Sequence, residues 1–465
     1  MKFNKIAVLQ LIVLAHYFFF FSSYIFSEAV WYDDAHELII SKVSLFDFNS
    51  IERIADHHLG FSIILKIVLF FFGVENIYIV LSVIFIICFM FTGYYVSLKL
   101  NDAVSILIAQ LIFLSSANII NFSFRPKQYI YELIIGILIV TLLKERNYNL
   151  NKILTLSLLC FIFSNLTIIY FIFPFFTLMK NYKFKIFHII YILILGIFGY
   201  NAFTKLFNIN FINYWSDYYS SSIFDFTNLL NLNLLFLRDF LDTGQLVLVV
   251  LIIISGLVVL YVNERELFFL CFTPYVAINF LVLLNLYPLG AGRTSIILFP
   301  LIFYSIFALA KLIQKIRYSN IFLIISVLIL SINLIDDPIK KSDYTKEILD
   351  NLKLDSSETV YISYYSIPQI ALFSDDLIDI KHQSNRCLYE GRNNVILLQK
   401  RLGGNSCKPM NSQEILQSFE NSDREFTVIG QDSKTQNILS KLNTKNFQIV
   451  KETFGQKEFI ITVKK

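Results

Sequence analysis

Charge is what this sequence has least of. Only 16% of its 465 residues are Asp, Glu, Lys or Arg, against 56% hydrophobic, where soluble domains carry about 25% charged residues. With 48 Phe and a mean hydropathy of +0.62, that balance excludes an ordinary soluble protein and points to a polytopic membrane protein. The formal net charge of +4 is too small to argue for nucleic acid, and no basic run is interleaved with aromatics to make a stacking groove. Nor is there a Gly-rich phosphate loop, a Ser-His-Asp order or a CxxC pair, and Gly403-Gly404 suits an ordinary turn. Soluble nucleotide chemistry is thereby set aside. Ionisable groups are scarce inside the apolar runs too: His16, Glu132, His188 and Lys205 lie there, the last three near run ends. A flippase or transporter would place charge mid-membrane, or break helices with Gly and Pro at matching positions in two halves, and the sequence shows neither.

Long apolar runs are what the chain has in abundance. Lys2 and Lys5 precede a run from Ile6 to Phe26, long enough to cross ~30 Å of hydrocarbon and too long for a signal-peptide core of ~7–15 residues. This first span is therefore expected to stay, although Ser27-Glu28-Ala29 faintly resembles a cleavage site. Further spans are expected at residues 77–98, 103–120, 128–143, 153–164, 166–179, 186–206, 245–262, 267–287, 294–310 and 321–335, which makes about eleven. With the N-terminus inside, the inner connections hold more Lys and Arg than the longer outer ones, as the positive-inside rule requires.

The fold class that follows is an α-helical polytopic membrane protein with a small C-terminal α/β soluble domain. A transmembrane module is expected over 1–336, interrupted by a first outer loop at 28–76. In that loop 35–46 and 59–72 suit amphipathic helices lying in the interface. Asp336-Asp337-Pro338 ends the last span, and 337–465 turns charged, with short alternating runs. There 360–364, 426–429 and 459–463 suit strands, and 412–419 and 435–442 suit helices. Cys88, Cys160 and Cys271 fall in spans, where a thiol behaves as a small apolar group. Cys387 and Cys407 fall in the outer domain and suit a structural disulfide across a ~20-residue loop.

One polar stretch stands out. Trp31-Tyr32-Asp33-Asp34-Ala35-His36-Glu37 puts three carboxylates and an imidazole at the mouth of the first span, where desolvation is costly unless water, a metal or a substrate reaches them. On the expected topology His57-His58, Arg125-Pro126-Lys127-Gln128-Tyr129 and Tyr287-Pro288-Leu289-Gly290-Ala291-Gly292-Arg293 share its outer face. A carboxylate can take a proton from an attacking hydroxyl, and cations at a membrane surface can hold a departing phosphate. Arg suits bidentate phosphate contact and Lys a point charge. The plainer alternatives are a solvated acidic loop for Asp33 and Asp34, snorkelling anchors for Arg125, Lys127 and Arg293, and a belt aromatic for Tyr129.

Taken together, the acid pair after span one, the amphipathic helices of the first outer loop, Lys127-Gln128-Tyr129, Tyr287-Pro288 with Gly292-Arg293, and a C-terminal outer domain resemble the GT-C glycosyltransferases. Within that superfamily the layout is similar to the protein O-mannosyltransferases and the aminoarabinose transferases, which use polyprenyl-phosphate sugars. The resemblance implies an inverting glycosyltransferase in a bacterial inner membrane, its N-terminus cytoplasmic and its C-terminal domain periplasmic. Its partners would be a polyprenyl-phosphate-linked sugar donor, a glycan, lipid or protein acceptor and the bilayer itself, with no nucleic acid. It implies Asp33 as general base. Asp34 stands where the family has Glu, and the shorter side chain leaves open whether it orients the acceptor or ligates a metal. Arg125, Lys127, Gln128, Tyr129 and Arg293 would hold the donor phosphate. Glu37, His57 and His58 would meet the acceptor, or form a zinc or manganese site, so a divalent metal (Mg, Mn or Zn) is the cofactor to look for, with plain surface as the alternative. A second enzyme reading, an O-antigen ligase or polymerase, would be expected to centre on a late outer loop rich in Arg, whereas 208–244 holds only Arg238.

Overall fold

A helix satisfies every backbone N–H and C=O within one segment, which is what an apolar chain in hydrocarbon must do. Up to Ile316 the described part of the computed structural model contains helices and turns but no strand. Described are residues 2–25, 32–42, 59–144, 150–179, 218, 225–240, 246–290, 293–316, 359–374, 376–380, 389–392, 394–403, 406–422, 426–430, 433–442, 448–454 and 459–464. The spans expected at 186–206 and 321–335 lie outside them, as do His57, His58 and Cys387.

The chain divides into two compact units. One comprises Met1–Phe26, His58–Phe61 and Asn76–Ile339; the other comprises Ser27–His57, Ser62–Glu75 and Lys340–Lys465. Within the first outer loop, 27–57 and 62–75 thus fall in the unit of the C-terminal residues, and 58–61 in that of the helices.

The first unit contains α1 (Lys2–Ile25) and, beyond α2 (Tyr32–Lys42) and α3 (Leu59–Phe72), the helices α4 (Ile77–Leu100), α5 (Ala103–Leu114), α6 (Ala117–Phe124), α7 (Tyr129–Lys144), α8 (Leu150–Phe163), α9 (Ile172–Met179), α10 (Phe226–Phe240), α11 (Leu246–Asn263), α12 (Arg265–Leu283) and α13 (Phe299–Ile313). Two 3-10 segments, Asn165–Phe171 and Arg293–Leu298, lead into α9 and α13. Three described helices are long and apolar enough to cross a membrane: Ile77–Leu100, Arg265–Leu283 and Thr294–Ile313. A fourth span arises if α5 and α6, bent by 82° at Ser115-Ser116, count as one. The chain is a multi-pass membrane protein. On α11 the exposed residues Val247, Leu251, Ile254 and Val258 recur at helical spacing and form one apolar stripe. On its other side Gly256 lets α13 approach so closely that an added Cβ would meet the Ser305 carbonyl oxygen at 2.4 Å.

Several polar side chains inside this bundle are paired across helices. Gln110 on α5 accepts from Gln10 Nε2 of α1 at 2.9 Å and donates to the Phe89 carbonyl of α4 at 2.9 Å. Tyr17 meets Ser123 at 2.7 Å, and Thr141 meets Tyr304 at 2.6 Å. At one end of the bundle, Glu264 between α11 and α12 binds Lys144 at 2.8 Å and Lys311 at 3.0 Å, joining the ends of α7 and α13.

In the second unit β1 (Thr359–Ile362), α14 (Ile367–Phe373), β2 (Ile378–Ile380), β3 (Tyr389–Gly391), β4 (Val395–Leu397), β5 (Gln399–Gly403), β6 (Ser406–Pro409), α15 (Ser412–Glu420), β7 (Phe426–Gly430), α16 (Ser433–Leu442), β8 (Gln448–Phe454) and β9 (Phe459–Lys464) follow in order. Five strands form a sheet of order β4-β1-β7-β9-β8, parallel across β4, β1 and β7 and antiparallel at β9 and β8. Strand alternation turns Tyr361, Phe426, Val428, Ile461 and Val463 to one face, where Ile415 and Phe419 of α15 and Ile438 and Leu439 of α16 cover them. A capping box starts α15: Asn411 Oδ1 accepts from Glu414 N at 2.9 Å and Glu414 Oε2 accepts from Asn411 N at 2.8 Å. Cys407 is disulfide-bonded, while Cys88, Cys160 and Cys271 are free thiols.

Burial pushes the Glu264 carboxyl up, but the hydrogen bonds and charges of Lys144 and Lys311 outweigh it and hold the group below the usual carboxylate range. A depressed folded-state value means that the contribution is complete above the unfolded carboxylate value and is lost as pH falls through the folded one. Glu264→Gln should therefore lower the thermal unfolding midpoint at neutral pH, and the gap from the parent protein should close in strong acid. A gap that stays constant across that range would show that the ion pairs do not stabilise the bundle.

Candidate functional site

The acid pair sits in the first turn of α2, where helix amides favour negative charge. Asp33 belongs to the helical backbone, and its side chain lies outside the described residues. Asp34 is 0% exposed. It shares a buried face with Ala35, Leu38, Ile39 and Ser41, the i, i+4 and i+7 positions of one helix side. His36 and Glu37 lie at the margin of that face, half-buried, and Ser41 Oγ donates to the Glu37 carbonyl at 2.9 Å.

The basic-aromatic motif lies in the other unit, at the turn between α6 and α7. Pro126 forces the residue before it into extended backbone, so Arg125 ends α6 at φ −77° and ψ 147°. The Lys127 amide then donates to the Arg125 carbonyl at 2.7 Å, a three-residue turn about Pro126. Arg125 and Lys127 are each 7% exposed. The Arg125 guanidinium lies 5.5 Å from the centre of the Phe122 ring, and that ring meets Tyr129 edge-on at 5.5 Å. Gln128 offers its carbonyl to the amides of Tyr131 and Glu132, which starts α7. The structure thus places two nearly buried cations two residues apart just before a helix, with an aromatic ring beside Arg125.

The second basic motif precedes α13. Gly290 has φ +83°, and a Cβ there would meet Leu235 Cβ at 2.9 Å, so the turn requires glycine. Its amide donates to Ser295 Oγ at 3.1 Å, and the Tyr287 hydroxyl donates to the Thr294 carbonyl at 2.7 Å. These bonds flank Arg293 at the start of its 3-10 segment, and α7 packs against that segment. The Arg293 side chain lies outside the described residues. Among the described residues no group of three His, Cys, Asp or Glu side chains could hold a metal ion.

A comparison with protein-family models gives no match, and no curated protein matches either. Among solved structures, the crystal structure of ArnT from Cupriavidus metallidurans in the apo state matches at a TM-score of 0.55 and 8% sequence identity, covering 99% of this chain and 98% of that one. The chain has the ArnT fold. That is the fold expected from the resemblance to the aminoarabinose transferases. At such low identity the ArnT likeness is one of architecture, so the residue roles rest on the geometry of this chain.

Two groupings escaped the sequence reading. Glu132, one turn into α7, is 2% exposed and accepts from Ser164 Oγ at 2.6 Å. Ser164 stands where α8 gives way to the 3-10 segment, and the only sequence signal was the polar pair Ser164-Asn165 between two short apolar runs. The other is a hydrogen bond at 2.9 Å between His36 Nδ1 and the Tyr389 hydroxyl, 353 positions apart and invisible to any local pattern.

Ser164→Ala should cost about 1–3 kcal/mol, the usual penalty for leaving a buried polar group without its partner. Glu132→Gln keeps an oxygen to accept the Ser164 hydroxyl and should cost much less. Thermal unfolding of the two variants in the same detergent checks this, and equal losses would mean that the hydrogen bond is not what holds Glu132.

Proposed function

We propose that this protein is an inverting glycosyltransferase of the GT-C kind, moving a sugar from a polyprenyl-phosphate donor to a hydroxyl of a glycan, lipid or protein acceptor. The observation that carries the proposal is the match to ArnT, an aminoarabinose transferase of the GT-C family, over 99% of this chain. Two features of this chain support it: an acid pair opens α2, and two nearly buried cations stand in the turn before α7.

In the proposed reaction Asp33 accepts the acceptor hydroxyl proton as the oxygen attacks the anomeric carbon from the face opposite the phosphate. The bond from that carbon to the phosphate oxygen breaks, and the phosphate leaves with the bonding pair. A general base in this position contributes ~10²–10⁴-fold. Arg125, Lys127 and Arg293 hold the departing polyprenyl phosphate, and Gln128 and Tyr129 complete its surroundings. Oriented cations in a site that excludes water stabilise such developing charge far more than they would in solution. Asp34, next to Asp33, orients the acceptor or ligates a metal. Glu37, His57 and His58 remain proposed acceptor contacts. The membrane is taken to be the bacterial inner membrane, with the N-terminus cytoplasmic and both α2 and the C-terminal domain periplasmic.

Asp33→Asn should lower turnover ~10²–10⁴-fold while donor binding survives, because the variant keeps the shape but not the proton acceptor. Arg125→Ala and Lys127→Ala should instead weaken binding of polyprenyl phosphate along with the rate. Purified variants assayed side by side for donor binding and sugar transfer make the comparison. Near-normal transfer by Asp33→Asn would move the base elsewhere.

A further inference from the structure

An 11-residue helix as polar as α2 is too short to be stable alone. Its position is set by what it leans on, and that is the C-terminal part of its own unit: α2 packs against α14. The polar contact is the His36 Nδ1 to Tyr389 hydroxyl hydrogen bond at 2.9 Å, with the two rings 6.2 Å apart and inclined at 58°. Tyr389 is itself buried and fixed from two directions. It pairs with Ile380 in the β2–β3 hairpin, and its carbonyl accepts from Gln399 Nε2 at 2.8 Å. The hairpin is closed in turn by the Arg392 amide donating to the Leu377 carbonyl at 3.0 Å and by an Arg392–Asp379 ion pair at 3.5 Å. A chain of short contacts therefore runs from the hairpin to α2, and His36 lies one helical turn after Asp33.

We propose that the Tyr389–His36 hydrogen bond is a positioning contact through which the C-terminal domain sets the acid pair for transfer. Tyr389 and His36 are positioning residues; neither touches the reacting atoms in this scheme. The proposal rests on the reading of α2 as the carrier of the general base. Its physical content is that a displacement of about 1 Å at a reacting group can cost ~10²-fold in rate, so a contact far from the chemistry in sequence acts on turnover and not on donor affinity.

The test uses the full chain, purified and monodisperse in lipid nanodiscs, with a polyprenyl-phosphate sugar as donor. Tyr389→Phe removes the hydroxyl, His36→Leu removes both ring nitrogens, and His36→Asn keeps an amide at the position of Nδ1. Tyr389→Phe and His36→Leu should each lower kcat ~10–100-fold with donor KM within about twofold, and His36→Asn should restore kcat to within about threefold. The double variant should be no worse than the worse single one, since both changes break one bond. Hydrogen exchange supplies a readout independent of activity. Protection should fall over 32–42 in Tyr389→Phe and hold in β7, α15 and α16. Unchanged kcat in Tyr389→Phe, losses that multiply in the double variant, or exchange that rises across the whole sheet would overturn the proposal. If the parent protein transfers no sugar from such donors, the glycosyltransferase reading fails, and unchanged protection of 32–42 in Tyr389→Phe then separately decides against the contact.

Discussion

A polar group carried into hydrocarbon is costly unless it finds a partner inside the protein, because no water is there to take the other end of the bond. Several helix-to-helix contacts of the helical unit follow from that constraint. Gln110 binds α1 and α4 through both ends of a single amide, and the Thr141–Tyr304 pair ties α7 to α13. Glu132 needs Ser164 for the same reason, and Ser164 is available because α8 stops there and caps the 3-10 segment that follows. Small residues do the complementary work. Gly93 leaves the space that the Gln110 amide fills, and Gly136 faces Pro300 and Tyr170 at distances no side chain would permit. Polar pairs fix which helices meet, and glycines fix how closely.

The C-terminal sheet of the second unit is organised by strand alternation. It carries one apolar face under two amphipathic helices, and the Lys400–Glu414 pair lies on the surface of the unit. To the same unit belongs α2, a piece of chain from directly after the first helix. The acids that open α2 therefore belong by their contacts to the domain at the other end of the sequence. The cations at Arg125 and Lys127 belong to the helical unit.

Much of this was legible beforehand where the signal was local. Apolar runs gave α1, α4, α7 and α12 to within a few residues. The alternation of Phe426-Thr427-Val428-Ile429 and Phe459-Ile460-Ile461-Thr462-Val463 marked two strands that pair with each other. Periodicity misled where local hydrophobicity was uniform. Residues 166–179 read as one span, yet the first half is a 3-10 segment because Ser164 accepts from the Leu166 amide and Thr167 bonds back to the Ser164 carbonyl. The helix expected from 35 is described from Tyr32, so the acids are part of the helix rather than of the loop before it, and 43–46 lie outside the described residues. The motifs at Arg125 and Arg293 were readable as unusual residues, and the turns that present them were implied by Pro126 and Gly290. Neither the Ser164 partner of Glu132 nor the Tyr389 partner of His36 could be read, because a hydrogen bond between distant positions leaves no periodic trace.

The separation of 353 positions between His36 and Tyr389 has a consequence for the order of assembly. At a synthesis rate of about 5–20 residues per second, some tens of seconds pass between the emergence of α2 and that of the strand it binds. During that interval a short helix with a carboxyl destined for burial has nothing to lean on, while the helices behind it are already entering the membrane. The seating of α2 is therefore among the last events in the birth of the molecule. A chain released early would contain every acid and cation of the proposed site and still lack the surface that holds one set of them in place.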